Sequence, residues 1–282
     1  RVFLFYRDDI IEVGGVQLAD VFAFEVPRFV CGALDSYPYG VVTVLAVDAP
    51  QRKKQQEETM AHVIAIAGKG GVGKTTLSGL LIQAMCKLGK TPILAVDADA
   101  NSNLNEVLGV DVEMTLGEVR EQIERAETSS QNPIPSGISK ADYAEIMFQR
   151  CLNEDDDFDL LVMGRTQGKG CYCYVNGILQ AQMQKLLPHY QYMVVDNEAG
   201  MEHISRGILP KVDTLILVSD CSRRGVQAAG RIAQLAKECN LNPSTMGLIV
   251  NRAPGGKLNA GTLEEIEQEG LNLLGVVPHD DL

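Results

Sequence analysis

Residues 62–277 repeat one alternation: a short apolar run rich in Val, Ile and Leu, then a longer stretch with apolar positions at helical spacing. The runs are 62–67, 91–96, 158–163, 192–195, 214–218, 246–250 and 271–277. They are nearly continuous in apolar residues rather than alternating with polar ones, which predicts strands covered on both faces, as in parallel sheets. Between them the spacing predicts helices over 77–88 with Gly89 as a stop, 115–123, 141–152, 175–187 ended by Pro188, and an amphipathic helix over 225–239. Residues 128–140, rich in Ser, Pro and Gly, read as a loop. So do the polar segment carrying Asn101, Asn103 and Asn105, the charge run Asp155-Asp156-Asp157, and residues 164–170. The alternation of strands and helices predicts an α/β fold in three layers, a mostly parallel sheet flanked by helices.

The chemistry enters at the first strand-to-helix turn, Gly68-Lys69-Gly70-Gly71-Val72-Gly73-Lys74-Thr75-Thr76. A glycine-rich turn between a buried strand and a helix is the setting in which G-x-x-x-x-G-K-[ST] becomes a phosphate site. Gly70, Gly71, Val72 and Gly73 let backbone N–H groups turn inward toward phosphate oxygens, and the helix start adds its partial positive charge. Lys74 supplies a point charge for the β- and γ-phosphates, and Thr75, followed by Thr76, can ligate Mg²⁺. The same letters also spell the dinucleotide fingerprint, Gly68-x-Gly70-x-x-Gly73, with Asp97 where a ribose-binding acid would sit. That alternative leaves Lys74-Thr75-Thr76 unexplained, so the nucleoside-triphosphate reading, and with it a P-loop NTPase fold, is preferred.

Acids and amides recur at the carboxyl ends of the strands: Asp99, Asp196, Asp220 and Asn251. Each alone suits a helix cap or a turn. With the phosphate loop they make a site, because open α/β sheets bind ligands at that edge. Asp196 follows an apolar strand, as a Mg²⁺-linked carboxylate does, and Gly200 offers a flexible point near the γ-phosphate. Asp99 is placed to orient an attacking water.

Composition narrows the partners. Of 282 residues, 37 are acidic and 25 are Lys or Arg, a net charge of −12 that disfavours a general nucleic-acid partner. No apolar run reaches membrane-spanning length and no signal peptide is evident. Seven cysteines, an odd number without a disulfide-framework spacing, fit a reducing cytoplasm. Cys86 and Cys239 fall within predicted helices and read as core residues. Cys171 and Cys173 form a Cys-x-Cys pair. In an extended segment such residues project to one side, and two thiolates grip a soft ion such as Zn²⁺ at roughly 2.3 Å. Two ligands do not close a tetrahedral site, but a second copy of the pair across a two-fold axis would. The other reading is a pair of free thiols in a loop.

Two segments stand outside this scheme. Residues 1–59 hold strand-like runs at 1–6 and 41–47 but no motif, and end in a polar run before Met60. Gln56 to Met60 can be encoded by codons that contain a purine-rich ribosome-binding sequence before a start codon. Residues 1–59 therefore read either as translated upstream sequence or as an ordinary extension, with the nucleotide-binding domain over 60–282. At the other end, the strand at 271–277 has no covering helix, so truncation at the C-terminus is expected.

Residues 60–282 resemble the deviant Walker A ATPases, the class of MinD, ParA and the nitrogenase iron protein, through the extra lysine Lys69 in G-K-G-G-V-G-K-T-T. The resemblance implies a homodimer in which Lys69 reaches the partner's nucleotide. It implies switch segments at Asp97-Ala98-Asp99 and at Asp196 to Gly200, and adenine contacts from Asn251-Arg252 and Val277-Pro278. Within the class, Val162-Met163-Gly164-Arg165, Gly170-Cys171-Tyr172-Cys173 and Asp196-Asn197-Glu198-Ala199-Gly200-Met201-Glu202-His203 resemble the CooC-type ATPases. Those assist nickel insertion into carbon monoxide dehydrogenase. The function this implies is an ATP-hydrolysing maturation factor with Lys69, Lys74 and Asp99 catalytic, Mg²⁺ on Thr75, and Ni²⁺ or Zn²⁺ on Cys171 and Cys173. Its partners would be a second copy and a nickel enzyme client. Two other expectations compete: a MinD- or ParA-type positioning ATPase, and an iron–sulfur carrier like the nitrogenase iron protein. The latter holds its cluster on cysteines far apart in sequence.

Overall fold

A computed structural model describes residues 2–6, 9–13, 42–44, 61–99, 101, 103–128, 134–164, 173–198 and 211–280. Among residues 1–59 it gives a small antiparallel sheet of β1 (Val2–Tyr6), β2 (Asp9–Val13) and β3 (Val42–Val44), in the order β2-β1-β3. Two of these strands match the runs read from the sequence; β2 was not anticipated.

The main sheet contains β4 (His62–Gly68), β5 (Ile93–Ala98), β6 (Leu152–Glu154), β7 (Phe158–Val162), β8 (Tyr192–Asn197), β9 (Thr214–Asp220), β10 (Thr245–Ala253) and β11 (Leu273–Pro278). Its order is β11-β10-β9-β4-β8-β5-β7-β6. All neighbours run parallel except the edge strand β6, which lies antiparallel to β7. The three-layer α/β expectation therefore holds. The helices are α1 (Lys74–Lys87), α2 (Leu104–Leu108), α3 (Leu116–Thr128), α4 (Lys140–Arg150), α5 (Cys173–Leu186), α6 (Arg223–Glu238) and α7 (Ala260–Gln268).

Period-two alternation along buried strands sends successive side chains to opposite faces. Ile64, Ile66, Ile93, Ala95, Tyr192 and Val194 meet Leu77, Leu81, Ile82 and Met85 of α1 and Leu104 of α2. Val63, Ala65, Leu94, Val96, Met193 and Val195 meet α3 to α7 through residues such as Val119, Phe148, Met183, Val226 and Ile266. Each fully buried Ile or Leu contributes roughly 1.5–3 kcal/mol, so both faces are needed to hold the sheet.

Several expectations are corrected. The polar segment at 101–105 is half helix, because Leu104 is fully buried and starts α2. The helix expected over 141–152 stops at Arg150, and Leu152 opens β6. Helix α7 has the caps and periodicity of a helix but was passed over. Cys239 is exposed at the C-cap of α6 rather than core, whereas Cys86 is half-buried within α1.

Candidate nucleotide site

The phosphate loop leaves β4 at the carboxyl edge of the sheet. A Cβ on Gly68 would stand 2.4 Å from the carbonyl oxygen of Val218, so glycine lets the chain lean over the end of β9. Gly73 has φ +91°, a left-handed conformation at the N-cap of α1. The start of α1 differs from those of α3, α4, α6 and α7. Ser139, Ser222 and Asn259 cap α4, α6 and α7 by accepting N–H groups of the first turn. Thr115 and Glu118 make a capping box at α3. Helix α1 has no side-chain cap and no acid in its first turn. Its free N–H groups and partial positive charge remain available to an anion.

Lys74, nearly buried, donates from Nζ to the Lys69 carbonyl at 3.3 Å, folding back beneath the loop. Lys69, Gly70, Gly71 and Thr76 are exposed on its outer side, with Thr75 half-buried. One helical turn past Lys74, the fully buried Ser78 hydroxyl lies 3.0 Å from the Lys74 carbonyl and 3.1 Å from Asp196 Oδ1. Ser78 was missed in the sequence, although its i+4 spacing from Lys74 places it on the same helix face.

Asp97 and Asp196 are register partners on β5 and β8, so both carboxylates face α1. Asp97 is fully buried and accepts from the Asp99 N–H at 3.0 Å and the Leu104 N–H at 2.9 Å, closing the loop between β5 and α2 on itself. Burial pushes its carboxyl up to about 6, against the opposing pull of those two N–H bonds. Burial also raises Asp196, opposed by hydrogen bonds from Thr75 and Ser78 and by the Lys74 charge. Asp196 Oδ2 is buried without a hydrogen-bond partner among the described residues. An orphaned carboxylate oxygen beside a threonine hydroxyl is a donor set suited to Mg²⁺, a hard cation that takes oxygen ligands.

Asp99 is half-buried on the same edge, and Glu198 follows β8. Asn197 donates to the Ile66 carbonyl at 3.0 Å, while its Oδ1 is buried with no partner among the described residues. Asp220 accepts from the Ser222 N–H and so serves as a turn residue. Asn251 and Arg252 touch the phosphate loop itself: Asn251 Nδ2 donates to the Val72 carbonyl at 2.8 Å, and the Arg252 guanidinium donates to the Gly71 carbonyl at 3.0 Å. Pro278 pairs with Ala253 at the end of β11. Gly200 and Cys171 lie outside the described residues. Cys173 is the first residue of α5, so the extended geometry expected for the pair does not apply to it. Among the described residues no group of three His, Cys, Asp or Glu side chains forms a metal site. No helix among them is long and apolar enough to cross a membrane.

The dinucleotide alternative fails on topology. In that fold the ribose-binding acid ends the strand beside the glycine-loop strand. Here β8 lies between β4 and β5, and both Asp97 oxygens are already committed.

This edge, with its uncapped helix start and its carboxylates on neighbouring strands, has the layout of a P-loop nucleoside triphosphatase. The chain belongs to the CobQ/CobB/MinD/ParA nucleotide binding domain family, which residues 63–282 match. It is similar to an uncharacterised ATP-binding protein of Methanocaldococcus jannaschii, at 40% identity over 77% of this chain and 85% of that protein. It is also similar to the carbon monoxide dehydrogenase accessory protein CooC of Rhodospirillum rubrum, at 31% identity over 77% of this chain and 83% of that one. Its fold resembles the MinC:MinD cell division protein complex of Aquifex aeolicus, with a TM-score of 0.56 and 22% identity over 78% of this chain and 82% of that one. The protein is thus an ATP-binding, ATP-hydrolysing enzyme of the MinD/ParA type.

Proposed function

We propose that this ATPase is a maturation factor that assists nickel insertion into carbon monoxide dehydrogenase or a related nickel enzyme, working in the cytoplasm as an ATP-dependent homodimer. The observation that carries the reading is where Cys173, the second cysteine of the Cys-x-Cys pair, falls in the topology. Helix α5 begins at Cys173 and leads back to the start of β8, so its first turn lies toward the carboxyl edge that carries the phosphate loop. A helix start favours thiolate over thiol, and a thiolate is what a soft metal requires. The similarity to CooC of Rhodospirillum rubrum supports the same reading.

In this scheme Lys74 and the free N–H groups of α1 hold the β- and γ-phosphates, with Gly70, Gly71, Val72, Gly73 and Thr76 completing the cradle. Mg²⁺, when bound, neutralises charge on the transferred phosphoryl group, and Thr75 and Asp196 are the residues that would hold it. Asp99, held by Asp97 through its backbone N–H, orients the attacking water. Lys69 stands exposed and reaches the partner's nucleotide across the dimer. ATP tightens the dimer and hydrolysis loosens it, which opens and closes a metal site shared by two copies of the Cys-x-Cys pair.

Equilibrium dialysis with Ni²⁺ or Zn²⁺, with and without a non-hydrolysable ATP analogue, tests this. One metal per dimer is expected, with affinity changed by the analogue through linkage and lost in the double variant Cys171→Ser, Cys173→Ser. Filling to one metal per monomer, or full affinity in the double variant, overturns the shared site.

A further inference from the structure

Ser78 places a hydroxyl where the pattern of α1 calls for an apolar side chain. It is fully buried on the helix face that also buries Leu77, Leu81 and Ile82. A buried hydroxyl needs a partner, and two acceptors lie within reach: the Lys74 carbonyl at 3.0 Å and Asp196 Oδ1 at 3.1 Å. The hydroxyl has a single proton to give. The Lys74 carbonyl already accepts the backbone N–H of Ser78 in the helical ladder, so it is paired without the side chain. Asp196 has no such alternative. It is 1% exposed, and a bond from a hydroxyl to a carboxylate is charge-assisted and the stronger of the two. The proton therefore goes to Asp196.

The torsion of the carboxylate shows what that bond accomplishes. The second side-chain torsion of aspartate is broad and roughly two-fold, so placing the backbone does not fix where each oxygen points. Ser78 engages Oδ1, and Oδ2 is buried with no hydrogen-bond partner among the described residues. Thr75 also bonds this carboxylate, but it is half-buried at the loop and its oxygen is itself suited to hold Mg²⁺. Ser78 lies deeper in α1 on the same face, outside the residues that would hold the ion. We propose that Ser78 is a positioning residue: by holding Oδ1 of Asp196 it leaves Oδ2 presented to Mg²⁺, and so sets how strongly the ion supports nucleotide binding. This role rests on the Mg²⁺–ATP reading of the site and is independent of which client the ATPase serves. The other role open to a buried serine is to fill space and bond back to the helix carbonyl, which would tie it to stability alone.

The two roles separate when Mg²⁺ is varied. Affinity for a non-hydrolysable ATP analogue is measured by calorimetry on the full chain, with Mg²⁺ and with EDTA, for wild type, Ser78→Ala, Asp196→Asn and the double variant. Alanine is smaller than serine and a better helix former, so Ser78→Ala keeps the fold, with circular dichroism as the check. A positioning role predicts unchanged affinity in EDTA and a roughly tenfold smaller enhancement by Mg²⁺, the scale of one hydrogen bond to a charged group. The Mg²⁺ concentration for half-maximal hydrolysis should rise by a similar factor, while the rate at saturating Mg²⁺ is kept. Because Ser78 acts through the carboxylate, its effect should vanish on the Asp196→Asn background. If Ser78→Ala weakens the analogue equally with and without Mg²⁺, leaves both affinities unchanged, or keeps its full effect beside Asp196→Asn, the positioning role is overturned. A wild-type chain that binds the analogue no better with Mg²⁺ than with EDTA overturns the Mg²⁺ reading itself, and the role of Ser78 with it.

Discussion

The two edges of the main sheet handle buried polar groups in opposite ways. At the amino edge they pair within the chain. His62 Nε2 and the Thr214 hydroxyl lie 3.0 Å apart, Asp213 accepts the Val63 N–H at 3.0 Å, and the Tyr190 hydroxyl donates to Asp159. At the carboxyl edge, Asp196 Oδ2, Asn197 Oδ1 and Ser219 Oγ are buried with no hydrogen-bond partner among the described residues, and α1 begins without a side-chain cap. A buried polar atom left unpaired costs about 1–3 kcal/mol. Such a cost concentrated at one edge marks where a ligand supplies the missing bonds. The amino edge is built for stability; the carboxyl edge holds unused bonding capacity.

Substitutions at the two edges should therefore differ in kind. The largest effect is expected from Lys74→Ala, which removes the charge aimed at the phosphates while leaving the core packing in place. Phosphate release should fall by at least about a hundredfold, on the scale of losing a transition-state donor, with an unchanged circular dichroism spectrum. Hydrolysis near the wild-type rate would remove the carboxyl edge from the chemistry. Next comes Gly73→Ala. Its Cβ meets Asn251 Nδ2 and its φ of +91° disfavours any side chain, so ATP affinity should drop roughly tenfold to a hundredfold by strain in the loop. Unaltered binding in a titration would mean that the loop does not need this conformation.

The Asp97→Asn variant tests the cost of burying a carboxylate at this edge. In the folded chain the Asp97 carboxyl is pushed from 3.8 up to about 6. Between these values the native state keeps a proton that the unfolded state has released, so stability falls as pH rises through the window. A shift of this size corresponds to about 3 kcal/mol at most. Urea midpoints without Mg²⁺ should show wild type losing stability relative to Asp97→Asn between about pH 4 and about pH 6.5. Parallel pH profiles would refute the assignment.

The smallest effect is expected at the amino edge. Burial lowers the pKa of His62 below 6.5, opposed by Asp213. Protonation therefore favours the unfolded state, and the stability that neutral His62 contributes is lost as pH falls below 6.5. His62→Gln should cost about 1 kcal/mol near neutral pH through a weakened bond to Thr214 and reduce the acid sensitivity of the melting temperature. ATP hydrolysis should be unaffected, and an altered rate would show that the two edges are coupled.

The alternation of apolar runs and helical spacing was enough to read the layered α/β fold and most strand ends, because burial on both faces leaves a local imprint. Asp97 and Asp196 could be seen as strand-end acids, but their being neighbours could not, since β5 and β8 are separated by the whole stretch from α2 to α5. The short strand β6 was missed because three residues carry no usable period, and α2 because asparagines disguise its single buried anchor, Leu104.

The sequence by itself determined the phosphate loop, since glycine spacing, Lys74 and Thr75 act within one turn and need only the strand before and the helix after. Tertiary structure alone decided what that loop rests on. Strand order put β8 between β4 and β5, which excluded the dinucleotide reading, and the lean over β9 brought Val72 within 2.8 Å of Asn251, 179 residues away. Hydrogen bonds across such separations depend on how strands are ordered and how closely backbones approach, and neither leaves a periodic trace in the chain.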